Sequence, residues 1–261
     1  MDDFSYLVYI PSLKSKKRFL QLNNRTYKTI AKLIQNNDDN YLAKYLLTIV
    51  EDLCVDPINT DELTNLDILC ISLAMRSICI GTSMKLVTES NKKNISFKVN
   101  LMDVLQQLSD IEYKVITITV DGITILADLP NMLIIKDITD FISTVKINGC
   151  KYNIRNVKTS TRRKILDMLP VSVLAKLKSS LEDNLDTQMT VIQKTNNSPK
   201  MTIDITSNSV FDFIKLIYTM SLDSFYTSYY ILSTKLNFNL QPTPAPPADE
   251  GDSVIPGGFK F

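Results

Sequence analysis

Two dipeptides constrain this chain more than any other feature: Asp121-Gly122 and Asn148-Gly149, each set between runs rich in β-branched residues. An Asx-Gly pair supplies the two consecutive left-handed positions that a tight hairpin turn requires. Residues 114–120 and 123–127 flank the first pair, and Val145-Lys146-Ile147 and Tyr152-Asn153-Ile154 flank the second. Both predict neighbouring antiparallel strands. Residues 83–87 and 95–99, around the polar turn 90–94, predict another strand pair. Short helices are expected over 100–108 and 138–142.

The flanks change period. In residues 4–22, Phe4, Tyr6, Val8 and Ile10 alternate with Ser5, Leu7 and Tyr9; Pro11-Ser12 breaks the run and 17–22 returns it, a hairpin with one apolar face. Tyr27, Ile30, Ala31 and Ile34 then recur at helical spacing behind Asn24, read as the cap. Asp38-Asp39 opens a second helix through Leu42, Leu46, Ile49, Val50 and Leu53, and Asp56-Pro57 ends it. A third is expected from Thr60 through Leu66, Leu69, Leu73 and Ile80, with Gly81 as its stop. Beyond Thr161, Ile165, Leu166 and Leu169 form one stripe, and Pro170 opens the next helix through Val173, Leu174, Leu177 and Leu181. Short strands over 189–193 and 201–205 precede a final helical pair, 210–220 and 222–236, capped by Ser207 or Ser209.

The fold class is therefore α+β: an N-terminal hairpin and helices (1–82), a central antiparallel β-rich region (83–158), and C-terminal helices with a short hairpin (159–240). Residues 241–261 carry Pro242, Pro244, Pro246 and Pro247, then Asp249-Glu250-Gly251-Asp252. This composition cannot bury a core and predicts a disordered tail.

Several chemistries are excluded by what the chain lacks. It has no histidine, which removes imidazole general bases and histidine-activated nucleophiles. Before the tail, glycine occurs at 81, 122 and 149 alone, so no Gly-rich phosphate cradle can be drawn. Cys54, Cys70, Cys79 and Cys150 form no C-x-x-C pair and read as small buried hydrophobes in a reducing compartment; Arg76 beside Cys79 is the one hint of an electropositive thiol. Catalysis by carboxylates alone remains, with Asp121, Asp128, Asp137 and Asp140 as candidates, although a turn and a helix start account better for three of them. No catalytic residue, metal or cofactor is expected, and no small-molecule substrate.

A formal net charge of +1 gives no general attraction to nucleic acid or anionic membranes. The basic runs Lys14-Ser15-Lys16-Lys17-Arg18 and Arg162-Arg163-Lys164 leave a nucleic-acid accessory role as an alternative, and a carboxylate-only hydrolase is the other. No apolar run reaches the roughly 20 residues of a membrane span, and the acidic start is unlike a secretory signal, so work in the cytoplasm or in a particle assembled there is expected.

Tyr226, Tyr229 and Tyr230 crowd the last helices without basic flanks, which favours protein packing over base stacking. Arg76, inside an apolar helix, must pair, cap or face a partner, and neither Glu62 nor Asp67 lies at the favoured spacing. Phe259 and Phe261 put aromatics on the end of the tail, read as an exposed end or a docking tip.

Tyr9-Ile10-Pro11-Ser12-Leu13, Glu51-Asp52-Leu53-Cys54-Val55, Leu66-Asp67-Ile68, Met75-Arg76-Ser77-Ile78-Cys79-Ile80-Gly81, Val99-Asn100-Leu101, Val120-Asp121-Gly122-Ile123 and Ala127-Asp128-Leu129-Pro130 follow one another in an order that resembles the T4-type phage baseplate proteins, over residues 4–240. The resemblance implies a hub subunit or hub-assembly factor of a contractile tail. Its partners would be other tail and baseplate hub proteins, in the host cytoplasm during assembly or in the virion baseplate. It makes Arg76 and the C-terminal aromatics interface candidates. Some relatives carry a cysteine-paired knuckle before the last helices; residues 189–205 here have no cysteine or histidine, so no metal is carried over.

Overall fold

The structure, a computed structural model, describes residues 4–90, 93–111, 115–184, 190–193, 201–204, 210–219 and 237–240. Strands β1 (Ser5–Ile10) and β2 (Ser15–Leu20) form the N-terminal hairpin, with Tyr6 opposite Phe19 and Val8 opposite Lys17. The return strand begins two residues earlier than expected. Lys14, at φ 48°, closes a four-residue turn with its N–H on Pro11 O, 3.2 Å. Helix α1 (Asn24–Gln35) is capped by Asn23, not Asn24: Asn23 Oδ1 accepts from Thr26 N at 2.9 Å. Asp38 caps α2 (Asp39–Leu53), accepting from Tyr41 N.

Helix α3 (Asn65–Cys79) starts later than expected, because Thr60–Glu62 forms a separate 3-10 turn and Thr64 is the true cap. Its residues from Asn65 to Ser77 are all buried. Such a helix has no solvent face, so its stability comes from packing on every side. It packs against α2, β1, α4 (Leu101–Ser109) and α7 (Val210–Thr219).

Strands β3 (Ser83–Ser90) and β4 (Lys93–Asn100) pair antiparallel. Beyond them β5 (Ile116–Val120), β6 (Ile123–Ala127), β7 (Ile142–Ile147) and β8 (Cys150–Asn153) form an antiparallel meander in that order. Both Asx-Gly pairs are left-handed throughout: Asp121 at 50° and Gly122 at 77°, Asn148 at 50° and Gly149 at 79°. This is the geometry that matches strand twist. Residues 138–142, expected to be helical, are a 3-10 turn (Ile138–Phe141) that runs into β7. Helices α5 (Thr159–Asp167) and α6 (Val171–Asn184) follow, and α6 packs on β5.

Strands β9 (Thr190–Gln193) and β10 (Met201–Asp204) form the short hairpin, but β10 also pairs with β11 (Asn237–Leu240). Sequence reading did not anticipate β11, so the hairpin is a three-stranded sheet. Met201 sits opposite both Gln193 and Leu240. Apolar side chains from Val8 to Tyr218 form one continuous core. The whole of the helix expected over 222–236, the caps Ser207 and Ser209 expected for the final helical pair, and the tail lie outside the described residues.

Candidate functional site

Helix ends present unsatisfied backbone groups: amides at the start, carbonyls at the end. The polar interior of this protein is organised around two of them, the start of α3 and the end of α7.

At the start of α3, the Asp67 carboxylate is fully buried. Its Oδ2 accepts from Thr64 N and from Thr64 Oγ1, both at 2.7 Å, and its Oδ1 accepts from Ser12 N at 3.0 Å. One side chain thus completes a capping box and ties down the β1–β2 turn. Asn65 N donates to Pro130 O at 2.9 Å, and Asn131 Nδ2 donates to Asp61 O, so the loop after β6 closes over the same point. The Asn65 amide and the Ser12 hydroxyl are buried here without partners among the described residues.

At the other end of α3, Arg76 is 4% exposed. Its Nε donates to Ile217 O at 3.3 Å, and its Nη1 donates to Gly81 O. Beside it, Tyr27 of α1 donates its hydroxyl to Tyr218 O at 2.7 Å. Two final-turn carbonyls of α7 are therefore capped by side chains from α3 and α1, with a cation at the negative end of the helix dipole. The Tyr218 phenol hydrogen-bonds Ser72. Its ring lies 6.1 Å from that of Tyr27, tilted by 51°. Burial draws the Arg76 guanidinium down from its ordinary value, while Tyr27 and Tyr218 act the other way. Burial pushes the phenols of Tyr6, Tyr27 and Tyr218 well above theirs. Lys215 ties α7 to α2 as well, with Nζ 3.1 Å from Asp39 Oδ2 and 2.9 Å from Asp212 Oδ1.

The residues singled out in the sequence fall into two sets. In the single chain Arg76 is turned inward onto its own backbone carbonyls, and neither Glu62 nor Asp67 pairs with it. Tyr226, Tyr229, Tyr230, Phe259 and Phe261 lie outside the described residues. Sequence reasoning took Tyr27 as ordinary core and missed its capping hydroxyl, since nothing local marks a bond to a residue 191 positions away. Asp67 was legible in principle: Thr64-x-x-Asp67 carries the spacing of a capping box.

The candidate carboxylates have structural employment. Asp121 occupies a turn, while Asp137 and Asp140 cap the 3-10 turn reciprocally. Asp140 Oδ1 also takes Arg162 Nη2 at 3.1 Å. Asp128 pairs with Arg155, whose Nη2 donates to Leu129 O at 2.7 Å. Burial lifts the Asp128 carboxyl above its ordinary value although Arg155 pulls it down.

Of the cysteines, Cys70 is buried, Cys54 and Cys79 are half-buried, and Cys150 is exposed at the start of β8, against the expectation of burial. Burial raises the Cys79 thiol, so proximity to Arg76 does not produce a reactive thiolate. Among the described residues no group of three or more acidic or cysteine side chains is disposed to hold a metal. None of the described helices is long and apolar enough to cross a membrane. One open surface depression of about 430 Å³ lies along α1, lined by Asn24, Arg25, Lys28, Thr29 and Lys32.

No curated protein and no solved structure matched the chain. A protein family did, the one described as T4 bacteriophage base plate protein, over residues 1–212. That span takes in the hairpin, the buried helix α3, both Asx-Gly turns and the first residues of α7. The chain belongs to the T4 bacteriophage base plate protein family.

Proposed function

We propose that the chain is a hub subunit or hub-assembly factor of a contractile tail, acting through protein–protein interfaces without catalysis. The family match over residues 1–212 carries the baseplate role and the expectation of baseplate partners. The finer placement at the hub rests on the order of motifs in the sequence. Support for a non-catalytic role comes from the employment of the buried and half-buried charges. Asp67, Arg76 and Asp128 are each spent on capping, docking or pairing. A catalytic acid instead needs a carboxyl held ready for a substrate. Assembly would take place in the host cytoplasm, and the finished particle would carry the chain if it is a subunit.

The test is affinity purification of the tagged full chain from infected cells, paired with mass spectrometry of purified virions. Co-purification with tail proteins is the expected result. Presence in the particle assigns a subunit, and absence assigns an assembly factor. Recovery without any tail protein would sink both assignments.

A further inference from the structure

The two edges of the N-terminal hairpin are treated differently. Gln21 N–H donates to Phe4 O at 3.2 Å, which fixes the phase of the ladder. Phe4, Tyr6, Val8 and Ile10 then bond across to β2, while Ser5, Leu7 and Tyr9 turn their N–H and C=O groups outward. On the β2 edge the outward groups of Arg18 are taken. Val55 N donates to Arg18 O at 2.8 Å, Arg18 N donates to Asp56 Oδ2 at 2.6 Å, and Cys54 bridges to Phe19. On the β1 edge no described strand pairs, and the sheet ends there. Ser5, Leu7 and Tyr9 thus offer N–H and C=O groups with no partner among the described residues.

Exposed edges usually carry a charge, a proline or a bulge that discourages pairing. Ser5–Ile10 has none of these: its sequence is SYLVYI and its register with β2 is continuous. Phe4 and Leu7 are each 61% exposed. A six-residue apolar edge of this kind is a template for another strand.

Charge indicates which strand. Residues 4–37 hold seven lysines and arginines and no acidic residue, in a chain whose net charge is +1. On the outward face of the hairpin the register sets Arg18 opposite Leu7 and Lys16 opposite Tyr9. Both cations are exposed and neither joins an ion pair among the described residues. A strand added beside β1 would run about 4.8 Å from it and about twice that from β2, within the combined reach of an acidic side chain and Arg18 or Lys16.

We propose that β1 is the docking edge for an extended acidic segment of a second protein, which adds as a strand along Ser5–Ile10 and sets its carboxylates toward Lys16 and Arg18. The proposal rests on the assembly reading above and names the surface that does the holding. A protein strand fits better than nucleic acid, because the outward carbonyls of the edge need donors and repel phosphate oxygens. A second copy fits less well, since its own residues 4–37 bring no carboxylate.

The test uses the purified full chain and a labelled octapeptide alternating glutamate and valine, read by fluorescence anisotropy. The lysine–valine octapeptide and an oligothymidylate of equal charge magnitude are the controls. Leu7→Pro removes an outward N–H and spares the bonds to β2, and the pair Lys16→Glu with Arg18→Glu reverses the charge. Saturable binding of the acidic peptide, weakened tenfold or more by each change, is expected. A peptide N-methylated at alternate residues should also bind at least tenfold more weakly, a result that stands even if Leu7→Pro fails to fold. No saturable peptide binding, equal binding by the N-methylated peptide, or tighter binding of oligothymidylate would overturn the proposal. So would a dimer of the unaltered chain that Leu7→Pro dissociates. Failure here with tail proteins still co-purifying removes the edge alone; failure of both removes the assembly reading.

Discussion

Replacing Arg76 with methionine keeps the length of the side chain and removes every donor. Ile217 O and Gly81 O then lose their bonds to the guanidinium, and the end of α7 loses the cation that faces its dipole. Hydrogen bonds to charged groups contribute about 1.5–3 kcal/mol each, and a cation at a partly buried helix end adds up to about 2 kcal/mol. Relief from burying a charge offsets part of that loss. The expected net loss is about 3 kcal/mol, a sizeable share of the 5–15 kcal/mol typical of a domain. For a chain of this size that lowers the melting temperature by roughly 6–12 °C. Arg76→Lys keeps the charge but not the fork, and should lose about half as much. Urea unfolding followed by circular dichroism and tyrosine emission measures both, since the chain has no tryptophan. The double variant with Tyr27→Phe should be non-additive, because Tyr27 caps the neighbouring carbonyl of the same turn. A stable Arg76→Met protein, within about 0.5 kcal/mol of the parent yet unable to bind tail partners, would refute this reasoning and restore Arg76 as a surface contact.

Asp67→Ala should cost about 3 kcal/mol, since it strips a capping box and leaves Ser12 N without its acceptor; urea midpoints check it, and a loss under about 1 kcal/mol would be too small for that role. Gly122→Ala should lose about 1–2 kcal/mol despite open space around the glycine, because the cost lies in the positive φ of 77°; no loss in thermal melts would contradict this. Asp212 and Asp39 hold the Lys215 ammonium above its ordinary value although burial opposes them. Its contribution is therefore complete below the unfolded lysine value near about 10.4 and is lost as pH rises through the folded value. The stability gap between the parent and Lys215→Met should shrink above that pH, and a gap constant from pH 8 to 11 would remove the linkage. Cys150 should react with an aromatic disulfide reagent in the native protein, whereas Cys70 should react only on unfolding.

Local chemistry made most of the fold legible. Asp121-Gly122 and Asn148-Gly149 gave their hairpins because turn conformation is decided by two residues. Asp38 gave its helix start for a similar reason. Boundaries slipped where two neighbouring residues competed for one cap, as with Asn23 against Asn24, or where a 3-10 turn precedes the helix proper, as at Thr60. Strand β11 was missed because a four-residue strand signals little until a partner, here Met201–Asp204, is in place. The site was the least legible part. The position of Arg76 in an apolar helix calls for a partner, but a carbonyl 141 residues away leaves no trace in the local pattern.

A helix enclosed from Asn65 to Ser77 also sets a timetable for the ribosome. Translation delivers α1, α2 and the hairpin before α3, but the α7 flank of its enclosure arrives only with residues 210–219. Until that stretch emerges, one apolar side of the nascent helix stands in water, open to chaperones and to neighbouring polypeptides. Messages truncated before codon 219 should thus yield products that clump rather than shorter working versions.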